Sequence, residues 1–368
     1  MTAFKLIHQA DYAKALRPLL PAIAFQPHPA KLWILFTHLG IMLSGWAIAA
    51  AIPVWHWQQI LVYLPLSLIM GNSVLVLAFV SHDLLHGSII RNQRVAYWLG
   101  LIGYSLHWTP PTLWQIVHNR THHPKTNSVD DPDRNYLFQQ PNSLGKRVQS
   151  WLVPSSEVTF LGWVLGMLTA WGVHTARNVV AAIFFGGKTE DVPAPFPVKP
   201  REQRQIAIEL AFITLIHLLI GFVLGFNPLK LAIAYFLPIS LGYAGMIFYI
   251  YTNHLFLRMT DINDPLINSV SLTVPKWVDW LHLNFSYHAE HHVFPGLNSD
   301  YYPEVRRLLA QQYPDRMNYI YSPQAAWHHL LSTPRQYKDE TTFINWQGDA
   351  VVACPNQGLP LERVNTGR

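Results

Sequence analysis

Residues 60–86 read ILVYLPLSLIMGNSVLVLAFVSHDLLH. Positions 60–80 carry no charged side chain, and two histidines, His82 and His86, follow at once. A helix needs roughly 20 residues to cross the hydrocarbon of a bilayer. The stretch therefore predicts a span that delivers a histidine pair to one membrane face. Residues three or four apart share a helix face, so both imidazoles point toward one centre.

Three more segments have the same character: 32–52, 206–226 and 229–251. Short joins, 53–59 and 227–230, pair the four into two hairpins. The stretch 96–107 is too short to span. The stretch 159–185 is apolar but interrupted by His174 and Arg177; an arginine near the bilayer centre costs about 2.5–3.5 kcal/mol on insertion scales. A crossing there would also put the histidine groups on opposite sides, so the expectation is an interfacial or re-entrant segment.

Composition agrees with a membrane protein. Of 368 residues, 50% are apolar and only 13% charged, against ~25% charged in soluble domains. The net charge of +5 is spread through loops, which excludes a nucleic-acid-binding reading and fits orientation in the membrane. Arg91, Arg94, Arg120, Lys125, Arg134, Lys146, Arg147, Lys188, Lys199, Arg201 and Arg204 lie in the long segments between hairpins; the opposite loops hold only Lys230. The positive-inside rule then places the long segments and both termini in the cytoplasm. The single cysteine, Cys354, excludes an internal disulfide and any cysteine-based zinc or iron–sulfur site.

The fold class expected is an all-α integral membrane protein, four transmembrane helices in two hairpins under a cytoplasmic histidine-rich helical cap. Residues 1–30 read as an interfacial or soluble lead-in without a cleavable signal, 31–310 as the membrane catalytic domain, and 311–368 as a cytoplasmic segment ending in a polar tail from 335.

Histidine is the outlier, with 19 residues. Besides His82 and His86 there are His118, His122 and His123 in HNRTHH, and His288, His291 and His292 in HAEHH. Eight imidazoles exceed what one ion takes, since zinc uses four ligands and iron rarely more than about six. Two metals sharing the set is the natural count; imidazole alone leaves iron, zinc, copper and nickel open. Asp83 and Glu290 sit inside the groups, where a carboxylate can accept the second N–H of a ligating ring. Asp130, Asp131 and Asp133 follow the second group, where they either orient its rings or form loop salt bridges, with Arg134 as a partner. His282 and His107 are weaker candidates, and His38, His174, His217, His328 and His329 have no partner pattern.

The motifs HDLLH, HNRTHH and HAEHH, with Gly87-Ser88 after the first and Asn284-Phe285-Ser286-Tyr287 and Val293-Phe294-Pro295 around the third, resemble the three histidine boxes of the membrane fatty acid desaturase/hydroxylase superfamily. The resemblance covers about residues 30–310. It implies a mushroom-like four-span fold, a non-haem di-iron centre, O2 as co-substrate, and His254 as a ninth ligand, with Asn253 reaching the metal through water. It further implies a lipid or acyl substrate and a separate two-electron donor of ferredoxin or cytochrome b5 type, since the chain lacks cysteines for its own cluster. Desaturation of a fatty acyl chain, in lipid linkage, is the leading expectation. Carotenoid or other lipid hydroxylation or ketolation belongs to the same superfamily and stays open. A non-oxidative zinc membrane protein is the alternative from another class.

Overall fold

The computed structural model describes residues 5–190 and 192–355; parts of the lead-in (1–4) and of the tail (356–368) lie outside the described residues. Helix α1 (Gln9–Leu16) leads into α2 (Leu32–Ala51) and the long α3 (Trp57–Leu85). Helix α4 (Gln93–Tyr104) precedes α5, which runs Pro111–Trp114, winds as a π-helix over Gln115–His122 and closes at His123–Lys125. Then come α6 (Ser143–Leu152), α7 (Phe160–Phe185), α8 (Pro200–Val223) and α9, built of Pro228–Lys230, a π-helix Leu231–Phe236 and Leu237–His254. Short helices α10 (His288–Val293), α11 (Tyr302–Gln312) and α12 (Pro323–Ser332) follow.

Four helices are long and apolar enough to cross a membrane: Pro29–Ala51, Trp57–Leu85, Pro200–Val223 and Pro228–His254. The 29 residues of α3 amount to about 43 Å at 1.5 Å per residue. That exceeds the roughly 30 Å of hydrocarbon, so the helix has length to spare, and its last turn carries His82.

Glycines set how closely α3 and α9 approach. A Cβ on Gly242 would lie 2.4 Å from Val74 Cγ1, and one on Gly71 2.7 Å from Leu241 Cβ. Small residues at such a seam let helix backbones meet in lipid, where packing rather than hydrophobicity drives association. The π-helical turn of α9 has a local cause. Pro238 has no N–H, and the carbonyls of Ala234 and Ile233 are taken instead by Trp46 Nε1 (3.1 Å) and Ser67 Oγ (2.9 Å). Those bonds tie α2 and α3 to α9 and satisfy backbone groups that a bilayer could not. At the start of α9, Lys230 Nζ donates to Ala50 O at 3.1 Å, near the end of α2.

Two sequence expectations change. Residues 160–185 form one uninterrupted helix, which removes the re-entrant alternative and leaves the interfacial one. Its polar residues do not break it because they face protein: Thr175 and Asn178 are buried, and His174 Nε2 lies 3.1 Å from the Tyr251 hydroxyl. The segment after 335 is not a featureless tail. Strands β1 (Gln336–Asp339), β2 (Thr342–Ile344) and β3 (Val351–Ala353) form an antiparallel sheet, and it buries Tyr337, Phe343 and Cys354 in the main core. Its apolar positions were too few to stand out among polar neighbours. The lead-in is likewise docked: Tyr12, Leu16, Leu20 and Ala24 pack with Ala289 and Val293 of α10.

Candidate metal centre

Helix α3 presents His82 and His86 one turn apart, their Nε2 atoms 3.2 Å from each other. Helix α5 presents three. An α-helix would turn residues five apart to different faces, but the π-helical winding, marked by the His123 N–H donating to His118 O, brings i and i+5 together. His118 Nε2 and His123 Nε2 are 3.1 Å apart. Helix α10 presents His288 and His292, Nε2 atoms 3.2 Å apart, with His291 pointing elsewhere. His254 ends α9.

These nine imidazoles sort into two adjoining sets. Ligand atoms of His82, His86, His118 and His291 all lie within 4.8 Å of one another, and His123 Nε2 joins them, 3.3 Å from His291 Nε2. Ligand atoms of His122, His254 and His292 form the second set, joined by His288, whose Nε2 is 2.7 Å from His254 Nε2. Nitrogens about 2.1 Å from one ion lie about 3.0–3.4 Å apart in octahedral or tetrahedral geometry. The contacts just given fall in or close to that range. Each of the second and third boxes contributes to both sets, which holds the sets side by side.

Electrostatics favour ligation. His86, His118, His123, His288, His291 and His292 are all pushed well below the usual imidazole range, by burial first and by neighbouring imidazoles second. They are neutral, the form a metal requires. His122 is the exception: burial opposes its charge, but the Asp131 carboxylate outweighs that and raises it.

A second layer fixes the rings. His82 Nδ1 lies 3.2 Å from Asp83 Oδ1, and Asp83 in turn accepts from Ser299 Oγ. His122 Nδ1 lies 3.0 Å from both oxygens of Asp131. His291 Nδ1 is 3.0 Å from the Tyr302 hydroxyl, His292 Nδ1 3.3 Å from Thr126 Oγ1, and His254 Nδ1 3.3 Å from Asn268 O. Such partners set tautomer and ring angle. Asp83 and Asp131 meet their expectation. Glu290 does not: it turns away from the rings to pair with Arg306 (2.7 Å) and accept from Ser271 and Tyr319. Asp130 pairs with Lys125, and Arg134 donates to Ser128 O. Tyr302, Thr126 and Asn268 carry no spacing signal in the sequence.

The remaining histidines stand apart from both sets. His282 bridges the Tyr249 hydroxyl and Asn72 Oδ1, and His107 packs among Tyr104, Trp171 and Tyr243. His217 stacks flat on Trp108, His38 meets Ser73 Oγ, and His329 packs against Phe256.

An apolar cavity of about 130 Å³ opens onto the centre. Phe79, Trp114, Met246, Ile247 and Phe285 line it, and His82, His118, His122, His254 and His288 reach it from both sets. Its volume is about four times a water's share of the liquid, room for a short stretch of chain.

The residues fit a metal pair. Nine imidazole nitrogens converge with no carboxylate among them, and the Asn253 amide beside His254 is fully buried with neither atom bonded to protein. A buried unbonded amide is costly, and a metal-bound water would satisfy it.

A family model described as fatty acid desaturase matches residues 58–323. The chain belongs to the fatty acid desaturase family. Among curated relatives, it is 30% identical over 122 residues to the sn-1 acyl-lipid omega-3 desaturase (ferredoxin) of Synechocystis, covering 33% of this chain and 32% of that one. It is 31% identical over 114 residues to the omega-3 fatty acid desaturase fat-1 of Caenorhabditis elegans, covering 31% and 28%. The matched stretch thus spans about a third of each relative. Family membership makes iron the expected metal of the histidine groups.

Proposed function

We propose that the protein is a membrane-bound acyl-lipid desaturase whose nine histidines hold two irons, His82, His86, His118, His123 and His291 around one and His122, His254, His288 and His292 around the other. The observation that carries this reading is the sorting of the nine imidazoles into two sets at the end of an apolar cavity. Irons bound there would supply O2 activation and hydrogen removal from unactivated carbons. The net change takes one hydrogen from each of two adjacent carbons to leave a double bond. With O2, two electrons and two protons, the four hydrogens leave as two waters.

The chain's own part is placement and exclusion. Phe79, Trp114 and Phe285 hold a methylene segment against the centre and keep bulk water out. Asp83, Asp131 and Tyr302 keep the rings aimed. Both electrons come from a separate carrier; the name of the Synechocystis relative includes ferredoxin, which favours a ferredoxin-type donor here. The acyl-lipid in that same name favours a chain esterified in a membrane lipid. The excess of Lys and Arg in the long segments supports a cytoplasmic centre with cytoplasmic termini. The Lys230–Ala50 contact, linking the far ends of α2 and α9, supports two hairpins turning at one end of the bundle. Residues 31–310 are then the catalytic domain, with the flanking segments docked on it.

The test is lipid profiling of a host with and without the full-length protein, beside metal analysis of the purified chain. New acyl chains lighter by two hydrogens, dependent on O2 and iron, are expected. Stoichiometric zinc with unchanged lipids, or oxygen-bearing products alone, would contradict the reading.

A further inference from the structure

Helix α6 leaves an apolar stripe uncovered. Its sequence, SLGKRVQSWL, places Leu144, Val148 and Trp151 at i, i+4 and i+7, one face of a helix. These side chains are 67%, 40% and 56% exposed. The opposite face is spent on α7. A Cβ on Gly166 would lie 2.5 Å from Trp151 O, and one on Gly162 3.3 Å from Ser150 O, so the two helices touch backbone to backbone. The stripe continues onto the first turns of α7, where Phe160, Leu161 and Leu165 are exposed as well.

The height of this surface is fixed by one bond. The Tyr251 hydroxyl donates to Leu152 O at 2.9 Å, at the C-terminal end of α6. Tyr251 lies three residues before His254, at the metal end of the fourth long apolar helix. Helix α6 therefore sits level with the end of a span, where hydrocarbon gives way to headgroups. Arg147 lies beside the stripe and is exposed, with a stem long enough to reach a phosphate while its methylenes stay in the apolar layer.

We infer that the α6–α7 hairpin is an in-plane membrane anchor, with Leu144, Val148, Trp151, Phe160 and Leu161 seated at the headgroup–acyl boundary of a phospholipid leaflet and Arg147 at the phosphates. A short helix with a strong apolar face and basic neighbours lies in the interface plane rather than across it. The occupant is lipid, because the stripe lies level with the end of a membrane-spanning helix. The anchor holds α7 against α9 beside the cavity, since His174 and Trp171 of α7 line it. This inference needs only the membrane-spanning reading of the long helices; it stands whether or not the enzyme desaturates.

Because Cys354 is the sole cysteine, site-directed labelling is direct. The full-length chain carrying C354A is given L144C, V148C, W151C or, as a solvent control, Q347C. Each is spin-labelled and reconstituted in phosphatidylcholine/phosphatidylglycerol nanodiscs. Power saturation should find the labels at 144, 148 and 151 more accessible to O2 than to a water-soluble nickel chelate, with the reverse at 347. Water-like labels at all three positions overturn the inference. So does dipolar coupling between copies at these positions, which would mark a protein partner. Should the cysteine-free background fail to fold, the wild-type protein with a headgroup-proximal diazirine phospholipid decides. Crosslinks within 144–165 support the anchor, and crosslinks confined to the four long apolar helices overturn it.

Discussion

At the scale of single residues, the account separates histidines that converge from histidines that merely pack. His122→Ala and His291→Ala remove one nitrogen from each set and should abolish product and lower bound iron. His329→Ala, whose ring rests on Phe256, should do neither. Unchanged lipid product in the first two would remove the ligand assignment. Tyr302 acts only through His291. Tyr302→Phe should weaken metal binding by about 10–100-fold, the usual cost of losing an outer partner, read as iron retained against a chelator. The eight box histidines were legible because HxxxH and HxxHH spacings reveal a shared face. Their sorting into two sets was not, because it depends on a π-helical turn that spacing alone does not announce. Glu290 shows the limit from the other side: its place inside a box suggested a ring partner, and the fold gave it to Arg306 instead.

At the scale of elements, two contacts hold the box-bearing helices in place. One is the glycine seam between α3 and α9. Gly242→Val would push two methyls into Val74, already 2.4 Å from where a Cβ would sit; overpacking of this kind costs about 1–3 kcal/mol or more. A lower melting temperature with lower iron content is expected, because the seam aligns His82 with His254. The other contact lies inside the third span. Glu209 is buried, accepts from the Tyr97 hydroxyl at 2.7 Å and the Thr112 N–H at 3.0 Å, and also from the Thr112 hydroxyl. It thereby pins the start of α5, the helix of the second box. Glu209→Ala strands those donors at roughly 1–3 kcal/mol. It should lower iron content more than Glu209→Gln, which keeps an acceptor; equal iron in both variants and wild type would refute the role. A sequence reading passes over Glu209 as one charge in an apolar run, since its partners lie about a hundred residues away. The four spans were legible for the opposite reason, that apolar length is local. The sheet after 335 was not, because its strands are short and half polar.

At the scale of the whole molecule, the fold should lose stability as pH falls below neutrality. Burial holds His107 and His174 down to about 3 and His282 to about 4. Unfolded imidazole takes up its proton near 6.5. Below that pH the unfolded chain binds protons that the folded one refuses, so these groups contribute stability above about pH 6.5 that is lost as pH falls toward 4. The melting temperature in detergent should be flat from pH 8 to 7 and then decline. His174→Gln, which keeps a partner for Tyr251 without titrating, should flatten the decline; an identical slope would contradict the assignment.

The central claim is that the nine histidines make two metal sites rather than one. Its most direct measurement is iron per chain in the purified full-length protein and in His291→Ala and His292→Ala, one variant for each set. The account predicts about two irons in the wild type and about one in each variant. A wild-type ratio near one, or full occupancy retained in either variant, would contradict it.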